Sequence, residues 1–164
     1  MYSKNQTIEL ITDKQKLRNR ALYWISKRDY SIHDFRVKLD KVCELEELKS
    51  ALIDDFIARD WLNEQRYMAS FVRMKISTGL GLHRIKQELQ QHGIKSEPAQ
   101  NYMDSLELDW FEQAKSTYDK KFAGKPVDLQ KDYKEKAKRF RFMQYRGFNP
   151  DQIKYAMQNQ SDDW

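Results

Sequence analysis

Apolar residues recur at helical spacing through most of the chain, and the pattern is clearest in residues 67–106. Three apolar residues precede a glycine-containing segment and three follow it, each three or four positions apart: Tyr67, Phe71, Met74, Leu82, Ile85 and Leu89. That spacing places each set on one side of a helix. Gly79 and Gly81 lie between the two sets, and glycine permits positive φ and close approach of neighbouring backbone. The stretch therefore predicts two helices joined by a tight turn.

The same pattern occurs fifty residues earlier in the chain. A shift of fifty aligns four residues of one copy with four of the other without a gap: Ile32, His33, Phe35 and Leu39 with Leu82, His83, Ile85 and Leu89. A shift of fifty-four carries the segment 92–94 onto 146–148, which indicates a third and more divergent copy. Periods of this length are typical of supersecondary units that bury their apolar faces against their neighbours.

The repeats predict an all-α fold of tandem three-helix units in an elongated array. A tail covers residues 1–12, and the three units cover 13–61, 62–106 and 107–164, the last of them with a basic helix. The apolar stripes predict helices at 13–28, 31–41, 44–60, 63–77, 81–92, 96–106, 107–122 and 130–146, and a last helix from residue 150.

Capping residues support these helix starts. Side chains of a type that accepts a hydrogen bond from a free helix amide stand at the predicted starts, at Asp13, Ser31, Asn63, Ser96 and Asn149. The segment 149–152 is the most specific of these signals. It combines a capping asparagine, a proline at the first helical position and a glutamine able to complete a capping box.

The same stripes predict which side chains face inward. In the helix 107–122 these are Trp110, Phe111, Ala114 and Tyr118, and in the basic helix they are Tyr133, Ala137, Phe140 and Met143. Trp24, Trp61 and Trp110 stand at apolar helical positions or helix ends, so core packing is a better interpretation than base stacking.

Composition agrees with a folded helical protein. Apolar residues make up 40% of the 164 residues and charged residues 34%, with only five glycines and three prolines, which argues against disorder. The single cysteine, Cys43, excludes an intrachain disulfide and is interpreted as a small apolar residue. No segment has the length of apolar sequence that a membrane span needs, and the N-terminus lacks a secretory signal, so a cytoplasmic protein is expected.

Positive charge is concentrated in one region. Residues 115–146 carry eleven Lys and Arg against four Asp and Glu, whereas the rest of the chain is nearly balanced. In the basic helix Lys134, Lys138 and Arg141 share a predicted outer face, with Arg139 at its edge. Aromatic residues are interleaved with these cations. The region is a candidate polyanion-binding surface.

Searches for catalytic motifs give no candidate. The three histidines form no i, i+4 pair, the glycine loop is no phosphate-binding loop, and no serine or cysteine has a recognisable nucleophile setting. No cofactor, metal or enzymatic activity is therefore predicted. The glycines of 79–81 also permit a helix-hairpin-helix interpretation, in which backbone amides bind phosphate, but a simple turn is favoured.

Three stretches of the chain resemble the bacterial RecX regulatory proteins, modulators of the RecA recombinase. The first runs from Ala21 to Leu39, and the third runs from Lys138 to Met157 and contains Arg146-Gly147-Phe148. The middle stretch, 61–94, is the most specific because it combines Phe-Val-Arg at 71–73, the glycine loop and Arg-Ile-Lys-Gln-Glu-Leu at 84–89. Together the stretches span nearly the whole chain after residue 13.

The resemblance implies a monomeric, non-enzymatic regulator with a curved array of three-helix repeats. Such a protein lies in the groove of the RecA filament on single-stranded DNA, which it contacts weakly or through RecA. It inhibits filament extension, ATP hydrolysis, coprotease activity and strand exchange, and so modulates recombinational repair and the SOS response. We expect the contacts to come from basic residues of the middle and last units: Arg73, Lys75, Arg84, Lys86, Lys134, Lys138, Arg139, Arg141 and Arg146.

Two alternatives remain open at the level of sequence. The chain could be an autonomous DNA-binding protein that uses the helices of 81–106 as a helix-turn-helix, with Arg84, Lys86 and Gln87 facing bases. It could also be a helical scaffold without a DNA role. A sequence-specific binder should prefer one DNA sequence at physiological salt, whereas a filament regulator should need RecA for its effect.

Overall fold

The computed structural model describes residues 9–158, and every regular element in that range is an α-helix. The helices are α1 (Lys14–Ile25), α2 (Ile32–Asp40), α3 (Glu46–Ala58), α4 (Glu64–Ser77), α5 (Leu82–Gln91), α6 (Ser96–Ser105), α7 (Trp110–Phe122), α8 (Tyr133–Tyr145) and α9 (Pro150–Gln158). The all-α prediction is therefore confirmed for the described residues. The predicted tail 1–12 lies largely outside them.

Four of the predicted caps form as expected. Asp13 accepts the amide of Lys16 at 2.7 Å, and Ser31 accepts that of Asp34 at 3.0 Å. Asn63 in turn accepts the amide of Arg66 at 2.8 Å. These bonds satisfy amides that have no partner inside their own helices, and they fix the starts of α1, α2 and α4.

The start of α9 is a complete capping box. The Asn149 side chain accepts the Gln152 amide at 2.9 Å, and the Gln152 side chain accepts the Asn149 amide at 3.0 Å. The fifth predicted cap is wrong in detail, because Ser96 is the first residue of α6 and Lys95 occupies the cap position without a side-chain bond. Pro98, within the first turn, needs no amide donor and is compatible with the start.

The first two repeats share one burial pattern. Residues 31–40 and 81–90 match position by position in their classes of buried, half-buried and exposed side chains. Leu39 and Leu89 are both fully buried, whereas Gln90 is exposed. The fifty-residue shift therefore relates residues with equivalent surroundings.

Truncating the shared leucine should destabilise both repeats. We expect Leu39→Ala and Leu89→Ala each to lower the free energy of unfolding by about 2–5 kcal/mol, because each leaves a cavity in a packed core. Gln90→Ala should change it little, since that side chain reaches solvent. Urea melts of the three variants test this, and equal, near-zero losses would mean that the repeat alignment is wrong.

The described chain divides into two compact units between Met68 and Ala69, inside α4. The core of the first unit surrounds Phe35, whose ring packs against Trp24, Tyr30 and Phe56 at centroid distances of 6.4, 6.1 and 5.7 Å. The second unit contains a cluster from α7 to α9: Ala114, Tyr118, Phe122, Met143, Phe148, Ile153 and Ala156. The predicted boundaries of the three repeats stay a prediction.

Several predicted inward positions are wrong. Large apolar side chains expected in the core are exposed: Trp61, Met74, Phe111 and Tyr133. Ala137 is exposed as well. Of the four residues of α8 that were predicted to face inward, Met143 is buried and Phe140 is partly covered, as expected. Arg139, which was predicted to be exposed, is buried in place of Tyr133 and Ala137.

Candidate functional site

The turn between α4 and α5 is closed by backbone from the third repeat. The Gly81 amide donates to the Arg146 carbonyl at 2.8 Å, and the His83 amide donates to the Gly147 carbonyl at 3.2 Å. In the first repeat the hydroxyl of Ser31 performs this capping, but glycine at the matching position has no side chain. The segment 146–147 therefore caps α5 in place of a local residue.

Two glycines make this contact possible. A Cβ atom on Gly81 would lie 2.5 Å from the Gly147 carbonyl oxygen, and one on Gly147 would lie 2.4 Å from the Arg84 amide nitrogen. Gly147 also has a φ of 97°, which L side chains rarely adopt. The Gly81 and His83 amides of the turn are thus already bonded, so they are not available to phosphate as a helix-hairpin-helix motif requires.

The basic residues predicted in the middle repeat have different surroundings. Arg73 is exposed on α4. Lys75 and Arg84 both bind the Glu88 carboxylate, at 2.7 and 2.9 Å. Burial would raise the pKa of Glu88, but the hydrogen bonds from these two cations outweigh it and hold the pKa below the ordinary glutamate value. The carboxylate of Glu88, which is partly buried, is therefore shared by two of the predicted contact residues.

Lys86 donates to the Gln100 side chain at 2.9 Å. Arg84 and Lys86 would both have to leave an intramolecular partner before they could reach bases, as the helix-turn-helix alternative requires. Of the three residues in that proposal, Gln87 is exposed, whereas Arg84 and Lys86 are half-buried.

Four exposed residues form one stripe along α8. Lys134, Lys138, Arg141 and Tyr145 follow one another at i, i+4, i+7 and i+11, which places them within about 60° around the helix axis. The stripe extends over about 16 Å at the helical rise per residue. Lys138 has 71% of its side chain exposed and lies 3.5 Å from Glu135, which is the one acidic residue of α8.

Arg139 does not belong to this surface, which corrects the prediction that it binds a partner. Its side chain is fully buried and donates to the Tyr118 hydroxyl at 3.0 Å, the Lys125 carbonyl at 2.8 Å and Glu135 at 3.0 Å. The guanidinium also lies 4.5 Å from the Phe122 ring centroid. Burial would lower the pKa of Arg139, but the bonds to Tyr118 and Glu135 raise it overall. The residue holds α7, α8 and their loop together.

Arg146 lies beside a small basic cavity. Its guanidinium donates to the Thr78 carbonyl at 2.9 Å and sits 5.3 Å from the Phe142 ring centroid. Lys120, Lys121 and Arg146 are among the residues that line the cavity, which has a volume of about 250 Å³. The two lysines belong to the basic region, but the sequence does not predict them as contact residues. They are neighbours in the chain, and nothing in that spacing indicates that either lies near Arg146.

Tyr145 is a further feature that sequence analysis did not single out. The residue is 71% exposed, and the Arg84 guanidinium carbon lies 5.0 Å from the centroid of its ring. The contact brings a basic residue of the second repeat to the end of the α8 stripe. The only sequence signal for this contact is that aromatic residues are interleaved with the cations of the basic region.

Residues 9–158 contain no group of three or more histidine, cysteine, aspartate or glutamate side chains that could hold a metal ion. None of the helices in that range is long and apolar enough to cross a membrane.

Comparison with known proteins decides the family. A protein from Haemophilus ducreyi named regulatory protein RecX is 38% identical to this chain over 140 residues, which cover 85% of this chain and 89% of the relative. The chain belongs to the RecX family. A RecX from Vibrio parahaemolyticus is 35% identical over 163 residues, covering 99% of this chain and all of the relative.

RecX family models and a solved RecX structure match the same regions. The model described as "RecX, second three-helix domain" matches residues 63–103, and the one described as "RecX, third three-helix domain" matches 107–157. The crystal structure of RecX from Lactobacillus salivarius superposes with a TM-score of 0.74 at 26% identity, covering 88% of this chain and 94% of that one. The α8 stripe thus lies in the third RecX domain, and the Gly81–Gly147 contact joins the second domain to the third.

Proposed function

We propose that this protein is a non-enzymatic regulator that binds the RecA filament on single-stranded DNA. It inhibits filament extension and the ATPase, coprotease and strand-exchange activities of RecA, and thereby modulates recombinational repair and the SOS response. It acts as a monomer in the cytoplasm. Membership of the RecX family supports this proposal, since the relatives are named regulatory proteins.

The exposed cations of α8 are the observation that carries the proposal. Lys134, Lys138 and Arg141 project from one face of the helix. Their side chains are exposed, so their charges can be reached by a partner. A row of exposed cations suits the phosphates of a DNA strand or an acidic protein surface. Arg73 is a further exposed candidate. Half-buried cations of the same compact unit would contribute as well: Lys75, Arg84, Lys86 and Arg146.

Charge reversal on α8 tests the proposal. We expect Lys138→Glu with Arg141→Glu to weaken binding to RecA–DNA filaments and to relieve inhibition of RecA ATP hydrolysis, because both side chains are exposed. The thermal melt should hardly move. If the two residues contact phosphate of a single strand, the salt slope of binding should also fall by about 0.7 for each lost contact.

The matched control carries the same change of charge elsewhere. Lys14→Glu with Lys16→Glu alters two exposed residues in the first turn of α1, where carboxylates suit the helix dipole. That variant should inhibit RecA as the parent does. A Lys138→Glu, Arg141→Glu variant that folds normally and inhibits as strongly as the parent would sink the proposal.

A preference for particular DNA sequences distinguishes this function from that of an autonomous, sequence-specific DNA-binding protein. A filament regulator should bind different DNA sequences alike and should need RecA for its effect. A sequence-specific binder should discriminate among duplexes by orders of magnitude at physiological salt.

A further inference from the structure

We propose that Tyr145, backed by Arg84, is a stacking platform for a base of single-stranded nucleic acid that runs along the α8 stripe. The inference rests on the proposed function and deepens it, because it assigns this protein a direct contact with the bases of the strand. The surroundings of Tyr145 differ from those of Tyr133, the other tyrosine of α8.

The ring of Tyr145 is both supported and accessible. Arg84 lies over it at 5.0 Å from guanidinium carbon to ring centroid, yet 71% of the residue remains exposed. Arg84 is itself held by Glu88 at 2.9 Å, and Glu88 is also bound by Lys75. The ring is therefore backed by an anchored cation on one side while most of its surface remains open to a ligand.

The rest of the stripe supplies the charge that a nucleic-acid strand requires. Lys134, Lys138 and Arg141 lead along the helix to Tyr145, with a step of about 5–6 Å from each residue to the next. Proteins that bind single strands without sequence preference combine such a basic track with aromatic rings on which bases stack. An arginine next to the ring adds a cation–π contribution.

An acidic protein segment is a weaker fit to this arrangement. It would match the three cations but would gain nothing from a large exposed aromatic ring at the end of the row. A base has a π face of its own, and stacking on tyrosine tolerates any base. The combination of three cations and one supported ring therefore favours single-stranded nucleic acid.

The test compares substitutions of the two exposed tyrosines of α8. Tyr133 is 76% exposed but lies about 120° around the helix from the stripe, which makes Tyr133→Ala the matched control. Binding of a fluorescent single-stranded oligothymidylate at low ionic strength is measured for the parent, Tyr145→Phe, Tyr145→Ala and Tyr133→Ala. We expect Tyr145→Ala to bind about 5- to 150-fold more weakly, the usual loss for one base stack, and the other two variants to bind like the parent.

Two further readouts identify stacking as the cause. Tyr145→Ala should leave the salt slope of binding unchanged, because a ring releases no counterions, whereas Lys138→Ala with Arg141→Ala should lower it by about 1.4. On an abasic strand of the same length, the parent and Tyr145→Ala should bind equally. Thermal melts of all variants establish that they are folded.

Several results would overturn the inference. The first is equal binding of oligothymidylate by the parent and Tyr145→Ala. The second is a loss of affinity in Tyr145→Ala that is as large on the abasic strand as on oligothymidylate. The third is no measurable binding by the parent at low ionic strength. Polyglutamate is also tested as a competitor. If Tyr145→Ala weakens polyglutamate binding as much as it weakens DNA binding, the stripe would be assigned to an acidic protein instead. None of these results decides the proposed function, which is tested separately by the effect of charge reversal at Lys138 and Arg141 on RecA.

Discussion

Replacing Gly147 with alanine is expected to lower the free energy of unfolding of the second compact unit by roughly 4–7 kcal/mol. The new methyl group would collide with the Arg84 backbone at 2.4 Å, and overpacking of this kind costs about 1–3 kcal/mol. The φ of 97° adds about 1–2 kcal/mol for a residue with a Cβ atom. Separation of the segments would also break the bonds from Gly81 and His83, each contributing about 1 kcal/mol.

Two other glycines separate these contributions. Gly124 has a φ of 70° with no atom within 4 Å of an added Cβ, so Gly124→Ala measures backbone strain alone. Gly81 has a φ of −90° but would place its Cβ 2.5 Å from the Gly147 carbonyl, so Gly81→Ala measures collision alone. Urea melts should rank Gly147→Ala as the most destabilised of the three. If it loses no more stability than Gly124→Ala, the contact between the two glycines does not hold α5 against the segment 146–147.

Removing the Arg139 side chain is the second change with a large expected effect. Arg139→Ala should lower the free energy of unfolding by about 3–5 kcal/mol, because it opens a cavity and leaves three groups without their donor. Those groups are the Tyr118 hydroxyl, the Lys125 carbonyl and the Glu135 carboxylate. Its neighbour provides the control, since Lys138→Ala alters an exposed side chain and should change stability by less than about 1 kcal/mol.

Limited proteolysis gives this prediction a local readout. Because Arg139 binds the carbonyl of Lys125, its removal should loosen the loop between α7 and α8 and expose it to trypsin, which can cleave after Lys131 but not at the Lys125–Pro126 bond. Arg139→Ala should therefore be cut in residues 123–132 faster than Lys138→Ala. Equal stability and equal cleavage of the two variants would contradict the buried role of Arg139. The result also matters for functional tests, because a triple reversal that included Arg139 would lose inhibition through unfolding.

Features that depend on residues close together in the chain, or on the repeat, could be predicted from sequence. The helix starts at Ser31 and Asn149 depend on side chains that bond to amides only three residues away, so their geometry is independent of the rest of the fold. The equivalence of Leu39 and Leu89 follows from the fifty-residue shift. The family resemblance was likewise visible in residues 21–39, 61–94 and 138–157, and the comparisons confirm it.

The buried side of α8 could not be predicted in the same way. Its predicted inward residues span about 120° around the helix axis, from Ala137 through Tyr133 and Phe140 to Met143, and only the Met143 edge of that arc is fully buried. Periodicity shows which residues share a face, but the neighbouring helix decides which face is covered. Here α7 offers the Tyr118 hydroxyl and the Phe122 ring to Arg139, which makes burial of a cation possible.

The candidate site shows the same division between sequence and tertiary structure. Sequence alone determined that α8 carries exposed cations at helical spacing, because Lys134, Lys138 and Arg141 are set by local periodicity. Only the tertiary structure decided that Lys75 reaches Glu88, that Arg84 contacts the ring of Tyr145, and that backbone of the third repeat caps α5. These contacts join residues far apart in the chain, and their geometry depends on how whole helices pack, which no local spacing encodes.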